Sequence, residues 1–255
     1  DTGENIQDGS GFKGDKIERN QKLMNILFHN TMKMPKELKE IQSNYKELGK
    51  KGFSIISSQF SIHYYFENEL KLRSYLKNIS DNCKKGGYFI GTCYDGKKIF
   101  QALDDQDRIE MKDDFGNKVY SIEKKYTIDD FEYRKDDWSN LFGQEIEVEM
   151  SSIGQPIIEY LVNFELLFEL MKEYGFQYVV PSLKGKESGI FDNMKYTYNK
   201  GFGGFELILK DLRSIASKDK LLRENFSQSL ELFKEENEML RKLTSFNNWF
   251  IFQKI

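Results

Sequence analysis

The chain has 255 residues, 39% of them apolar and 31% charged, with 38 Lys plus Arg set against 41 Asp plus Glu for a net charge of −3. Three prolines and an apolar fraction sufficient for a packed core exclude a collagen-like, Pro-rich or disordered chain and describe one soluble globular domain, residues 1–255. The slight acidity also argues against gripping nucleic acid mainly by counterion release, so any such partner has to be held locally.

In chain order, residues 1–20 are rich in Gly, Asp and Lys without periodicity and read as loop. From Gln21 to Leu48 apolar residues recur at helical spacing around Pro35, predicting two short helices. FSIISSQF (53–60) and GGYFIGT (86–92) read as buried strands. The helical set Leu70, Leu72, Tyr75, Leu76 and Ile79 lies between them. Strand, helix and strand within about forty residues make a βαβ unit and imply a parallel sheet. A β-like region follows: KVYSIEKKYTI (118–128), FEYRKDD (131–137) and the alternating strand EIEVEM (145–150). After Pro156, EYLVNFELLFELMKEYG reads as an amphipathic helix ending at Gly175, with FQYVV as a short strand behind it. Charged helices are expected over about 205–218 and 225–242, and NWFIF closes the chain as an aromatic strand.

Chemical motifs are sparse. Two histidines and two cysteines, Cys83 and Cys93, support neither a metal set nor a disulfide framework, and the thiols read as reduced and intracellular. His29 in ILFH reads as a packing or surface residue. GKES at Gly185 and GFGG at Gly201 lack the context of phosphate loops and read as turns, and GSGFKG near the start reads as flexible loop. No apolar run is long enough to cross a bilayer, and the first residues lack the basic and apolar regions of a secretory signal. The lysine-rich stretch KELGKKG (46–52) either touches phosphates or is solvated surface. With 21 Phe and 14 Tyr, the chain has either an aromatic-rich core or aromatic faces that stack a purine.

The informative stretch is QFSIHYYFE (59–67), at the carboxyl end of the first parallel strand, where open α/β sheets bind ligands. A His, a Gln and four aromatics together offer hydrogen-bonding heads beside stacking faces, which suits a flat heteroaromatic ligand. The alternative is that Phe60, Tyr64, Tyr65 and Phe66 start a helix and fill core.

QFSIHYYFE, LKNISDNCKKGGYFIGTCYDG (76–96), FGNKVYSI (115–122), LFG (141–143) and PIIEYLVNFELLFELMKEYGF (156–176) together resemble, in order and spacing, blocks of the mRNA cap guanine-N7 methyltransferases. Tyr94-Asp95-Gly96 and the long segment before Phe53 are more similar to the giant-virus members, where this domain ends a multifunctional capping enzyme. The resemblance implies a seven-stranded, Rossmann-like S-adenosylmethionine-dependent methyltransferase fold of the α/β class, with residues 110–155 as an inserted antiparallel β region. It implies S-adenosylmethionine as cofactor, no metal, and the capped 5′ end of mRNA as partner, with other capping domains in the same polypeptide or complex. Its location would be the host cytoplasm or virion if viral, and the nucleus if cellular.

Carried over residue by residue, Gln59, Phe60 and Tyr64 match the cofactor pocket, Tyr64 lying between cofactor and cap, while His63 and Glu159 match residues that hydrogen-bond the guanine. Read without the family, Glu159 is a helix N-terminal glutamate favoured by the dipole. Asp1-Thr2 matches an Asp-Ser pair beside the cofactor adenine. Aligning NWFIFQK puts Asn247 where the family has a tyrosine on the cap, with Phe246 one residue away as its substitute. The family's first strand and Gly-x-Gly loop have no counterpart, and the first residue is Asp, so the chain is expected to be part of a longer polypeptide with half its cofactor site missing. No residue is expected to act as acid, base or nucleophile. The competing reading is a degenerate methyltransferase domain that serves as a non-catalytic partner or stimulatory subunit.

Overall fold

The computed structural model describes residues 4–9, 11–112, 115–179, 201–218, 220–227, 234 and 238–255. Two sheets share one hydrophobic core. In the first, β1 (Phe53–Gln59) and β2 (Cys83–Tyr94) are parallel and joined by helix α3 (Glu69–Asn82), and helix α4 (Gly96–Ala102) follows β2. Strand β9 (Asn247–Lys254) pairs antiparallel with β2 and carries β7 (Phe176–Tyr178) and β8 (Phe202–Gly204) on its far side, both antiparallel to it. Strand β7 therefore runs in the same sense as β1 and β2, with β9 inserted against them.

Helix α3 begins where Asn68 accepts a hydrogen bond from Lys71 N at 2.9 Å, capping one of the free N–H groups of the first turn. Leu72, Tyr75, Leu76 and Ile79 then pack inward at helical spacing. Leu70 does not join them; it stays 77% exposed in the first turn. The buried face of the sheet is aromatic: Phe89 packs against Phe250 at 5.2 Å and Phe252 at 6.3 Å between ring centroids. Helix α5 (Phe164–Glu173) closes that face with Phe164, Leu166, Leu167, Leu170 and Met171, each buried side chain contributing roughly 1.5–3 kcal/mol by removal from water.

The second sheet is antiparallel, in the order β3 (Arg108–Lys112), β4 (Lys118–Lys124), β5 (Glu145–Met150) and β6 (Ile157–Tyr160). Ile146 and Val148 point into the core while the intervening glutamates stay half-buried, as the alternation of β5 requires. Upstream, α1 (Ile17–Met24) runs into a π-helical turn (Asn25–His29). After Pro35 a 3-10 turn leads to α2 (Lys39–Tyr45), and Ile26, Met34 and Leu38 form a satellite cluster there. His29 lies on the surface.

Several expectations are corrected. The helix expected from Glu159 onward is strand β6 up to Tyr160, and the helix begins only after Asn163. Ile157 and Ile158 are β-branched, and their backbone pairs with β5, which a local reading cannot see. FEYRKDD forms only an isolated bridge between Arg134 and Asp137. GFGG contributes strand β8 rather than a turn, whereas GKES lies outside the described residues. Strand β3 begins at Arg108, two residues ahead of the expected 110–155 β region, and was not singled out within it. The 205–218 segment is helix α6 (Phe205–Ala216), while the 225–242 helix is represented among the described residues by α7 (Lys220–Asn225) and α8 (Glu238–Ser245). No helix among the described residues is long and apolar enough to cross a membrane.

Candidate functional site

At the end of β1 the ladder continues one residue, Phe60 N donating to Thr92 O at 2.9 Å, and then breaks. Phe60 sits in the left-handed region at φ 48°, a conformation that costs a non-glycine residue on the order of 1–3 kcal/mol and is retained where surrounding structure enforces it. The reversal throws the chain into a 3-10 helix, Ile62–Glu67, whose buried side is Ile62, His63 and Phe66. Pairing of β5 with β6 brings Glu159 up to the same spot, opposite Ile146 in the register.

His63 and Glu159 are both buried, at 2% and 5% exposure. His63 Nε2 lies 3.5 Å from Glu159 Oε1, but the contact lacks hydrogen-bond geometry: His63 Nε2 and Glu159 Oε2 are buried polar atoms with no hydrogen-bond partner. Burial lowers the His63 pKa to about 4 and raises that of Glu159 to about 7. The two are therefore not an ion pair at neutral pH; a neutral imidazole faces a carboxyl group near its midpoint, because removing either charge from water costs more than the poorly aligned contact returns. On its other side, His63 Nδ1 lies 3.7 Å from Cys93 Sγ. Burial pushes the Cys93 thiol well above its ordinary pKa, so it remains S–H and is available to donate to Nδ1. With the thiol as donor to Nδ1, the neutral ring carries its proton on Nε2, the nitrogen on the Glu159 side.

The cavity has a volume of about 330 Å³, within the range of small-ligand sites, about 300–1,000 Å³. Four expected residues line it together: Phe60, His63, Tyr64 and Glu159. Phe60 and Tyr64 are 48% and 41% exposed, so their ring faces are open, and the Tyr64 ring stands 4.2 Å from that of His63. Burial, and secondarily the Glu159 charge, raise the Tyr64 pKa.

Four lining residues were not foreseen: Tyr94, Met150, Ile153 and Ile157. Tyr94 is the last residue of β2, and the logic that singled out the end of β1 applies equally there. Its ring lies 26° from the plane of His63 at 6.3 Å, and its hydroxyl is 2.8 Å from that of Tyr120. The other three come from the β5–β6 hairpin: Met150 ends β5, Ile157 begins β6, and Ile153 lies in the connection between them.

The remaining expected residues lie apart from this cavity. Gln59 is exposed at the strand edge and already engaged, donating to Ser57 Oγ at 2.9 Å and accepting from Thr92 Oγ1 at 2.7 Å. Phe246 is buried in the main core, 5% exposed, and is not among the residues lining the cavity; its carbonyl accepts from Asp95 N at 2.7 Å. Asn247 pairs with Tyr94 across the sheet, and its Oδ1 is buried without a partner. Asp1 and Thr2 lie outside the described residues. Both cysteines are free, and no group of three potential metal ligands exists among the described residues.

A parallel βαβ frame with an antiparallel strand inserted beside it, and a polar-aromatic cavity at the carboxyl ends of the parallel strands, belongs to the α/β, Rossmann-like S-adenosylmethionine-dependent methyltransferase class. A family model, the mRNA (guanine-N(7))-methyltransferase domain, matches residues 13–197, and the chain belongs to this family, whose methyl donor is S-adenosylmethionine. Among curated proteins it is similar to the mRNA cap guanine-N(7) methyltransferases of Saccharomyces cerevisiae, 35% identical over 98 residues, and Candida glabrata, 32% over 97 residues. Each match covers 38% of this chain but only 22% and 23% of the respective yeast protein, so the chain spans less than a quarter of their length. Among solved structures, a methyltransferase from Clostridium acetobutylicum covers 67% of this chain and 74% of its own at 15% identity and a TM-score of 0.35. The CcbJ methyltransferase of Streptomyces caelestis covers 82% and 59% at 9% identity and the same TM-score.

Proposed function

We propose that this domain transfers a methyl group from S-adenosylmethionine to guanine N7 of the mRNA cap. The observation that carries the reading is the unpartnered pair of buried polar atoms, Glu159 Oε2 and His63 Nε2, facing one aromatic-walled cavity. Buried polar groups left unsatisfied cost about 1–3 kcal/mol each, so such a pair is retained where a ligand completes it. A guanine does so on both sides: Glu159 as carboxylate accepts from the N1–H and 2-amino donors, and the Nε2–H of His63 donates to O6. Adenine offers neither pattern.

S-adenosylmethionine, when bound, supplies a methyl group made electrophilic by its sulfonium. Phe60 and Tyr64, which line the same cavity as His63 and Glu159, turn exposed ring faces that suit stacking on such a nucleoside beside the guanine. The guanine N7 lone pair forms the new N–C bond as the S–C bond breaks, with no proton to remove, and the positive charge passes from sulfur to the purine. No general base is needed. The side chains orient the acceptor, and the carboxylate of Glu159 offsets the charge that develops on the base.

The test measures methylation of GpppG-capped RNA, with binding of cap dinucleotide and of S-adenosylmethionine followed separately. Glu159→Ala and His63→Ala should each lower kcat/KM through cap binding. Full turnover by both variants would refute these roles, and cap binding without cofactor binding would leave a non-catalytic cap-binding domain instead.

A further inference from the structure

At the end of the parallel strands opposite the cavity, the register of β1 with β2 slips. Phe53 pairs with Cys83, yet Ile55, two residues on, pairs with Tyr88, five residues on. Three extra residues, Lys84, Lys85 and Gly86, are thus pushed out of the ladder as a bulge. The bulge is built for the purpose: Gly86 adopts φ 78° in open space, and a side chain at Gly87 would run into the backbone of Lys84 and Phe53. Beside it the segment after α2 turns tightly, Gly49 N reaching Leu27 O at 2.9 Å and Gly52 N reaching Gly49 O at 2.8 Å. Gly52 packs directly on the backbone of Lys84. Two chain segments therefore present Lys46, Lys50, Lys51, Lys84 and Lys85 side by side, all of them exposed.

Opposing charge is scarce. Glu47 pairs with Lys50 at 2.7 Å, Asp81 in the last turn of α3 is taken by Lys77, and Glu40 is exposed on α2. Among the described residues, no carboxylate pairs with Lys51, Lys84 or Lys85. Interleaved with the lysines are exposed apolar surfaces, Tyr45 at 49% and Leu48 at 58%. A lysine cluster with an open aromatic ring among it is the combination that holds single-stranded nucleic acid, phosphates on the amines and a base on the ring. In a chain of net charge −3 it is a local feature, not a reflection of overall charge.

We propose that this lysine bulge is a binding surface for single-stranded RNA, which engages the transcript downstream of the cap. The choice of RNA over another polyanion rests on the proposed cap reading; the surface itself does not. Seven residues of β1 separate the bulge from the cavity, roughly 20 Å at about 3.3 Å per residue. At about 3.4 Å per stacked nucleotide, a transcript needs at least about six nucleotides to reach from one to the other.

The experiment uses a fluorescent uncapped 12-nucleotide RNA, titrated at several salt concentrations against the wild-type chain and a Lys50→Gln/Lys51→Gln/Lys84→Gln/Lys85→Gln variant. Lys84→Gln/Lys85→Gln alone serves as the second variant should the quadruple one fail to fold. The quadruple variant should bind at least tenfold more weakly at low salt, and its salt slope should flatten by up to about 3, at about 0.7 per lost phosphate contact. Cap dinucleotide affinity should be unchanged, and capped RNA should outbind the dinucleotide only beyond about six nucleotides. Equal RNA affinity and equal slope in variant and wild type overturn the proposal, as does binding to phosphatidylserine vesicles in preference to RNA. Loss of cap binding with lysine-dependent RNA binding intact would instead count against the proposed cap site and leave this surface standing.

Discussion

Glu159 and Asn163 lie four residues apart, both buried, and have opposite relations to their surroundings. Asn163, with no exposed surface, is fully matched: its Nδ2 donates to Phe131 O at 3.1 Å and its Oδ1 accepts from Leu166 N at 3.0 Å, capping α5. Glu159, almost as buried, leaves Oε2 without a partner. Burial alone therefore does not distinguish scaffold from site; satisfaction does. The first residue stabilises the helix that closes the core, and the second costs stability until something enters the cavity.

The largest effect should come from breaking the unsatisfied member. Glu159→Gln keeps shape and burial but removes the charge and turns one acceptor into a donor. Cap dinucleotide affinity should fall roughly 100-fold, as expected for two charge-assisted hydrogen bonds at about 1.5–3 kcal/mol each with partial retention. The same variant should be more stable than wild type in alkaline buffer. The Glu159 pKa is about 7 when folded against 4.5 for the free group, so the folded state holds the proton more tightly. The stabilisation from that proton is fully present below pH 4.5 and is lost as pH rises through 7, a change on the order of 3 kcal/mol. Urea unfolding at pH 6 and pH 8 checks this, and a variant no more stable than wild type at pH 8 would place Glu159 in a satisfied environment after all.

Breaking the satisfied member should do the reverse. Asn163→Ala removes a helix cap and strands the Phe131 carbonyl, for a loss of about 2–3 kcal/mol, while cap affinity of the folded fraction is unchanged. A smaller effect follows from pH. Guanine recognition needs the Glu159 carboxylate, so kcat/KM should rise with pH through about 7 and gain about tenfold between pH 6 and pH 8. His63, with its pKa lowered to about 4, adds no second limb above pH 5. A flat profile in that window, under conditions where kcat/KM reports chemistry, contradicts the assignment.

The same contrast explains what the sequence discloses. Strands β1 and β2, helix α3 and the end-of-strand position of His63 and Tyr64 follow from local patterns and from the rule that ligands bind at the carboxyl edge of a parallel sheet. Glu159 could be singled out only by resemblance. Locally it precedes an apolar amphipathic run and reads as the start of a helix, and only its hairpin pairing with β5, where Ile146 sits opposite it thirteen residues upstream, makes it a strand residue. The true helix start was visible in principle, since Asn163 followed by Phe-Glu-Leu-Leu carries an N-cap signal. Leu70 shows the converse: it fits the helical spacing, yet it lies outside the buried stripe, because periodicity does not fix where a stripe ends.

Tyr94 and Tyr120 offer the finest test, because they are polar, deep and, among the described residues, hydroxyl partners to each other alone. Tyr94 is at the edge of the parallel sheet and Tyr120 on β4 of the antiparallel one, and their hydroxyls, 2.8 Å apart, tie the two sheets together beside Glu159. Burial pushes both phenols well above their ordinary pKa, and the nearby Glu159 charge adds to it, so neither ionises and one must donate to the other. Tyr94 lines the cavity; Tyr120 acts only through it. Tyr120→Phe removes one hydrogen bond in the interior and leaves the Tyr94 hydroxyl free to turn toward the cavity or remain unpaired. The expected cost is about 1 kcal/mol of stability and a rise in KM for the cap of a few-fold with kcat unchanged, because the ring that faces the ligand stays while its orientation loosens. Tyr94→Phe should cost the same stability and the same KM, and the double variant no more than either single one, since a shared bond is lost only once. Additive losses would mean that Tyr94 spends its hydroxyl on the ligand and not on Tyr120.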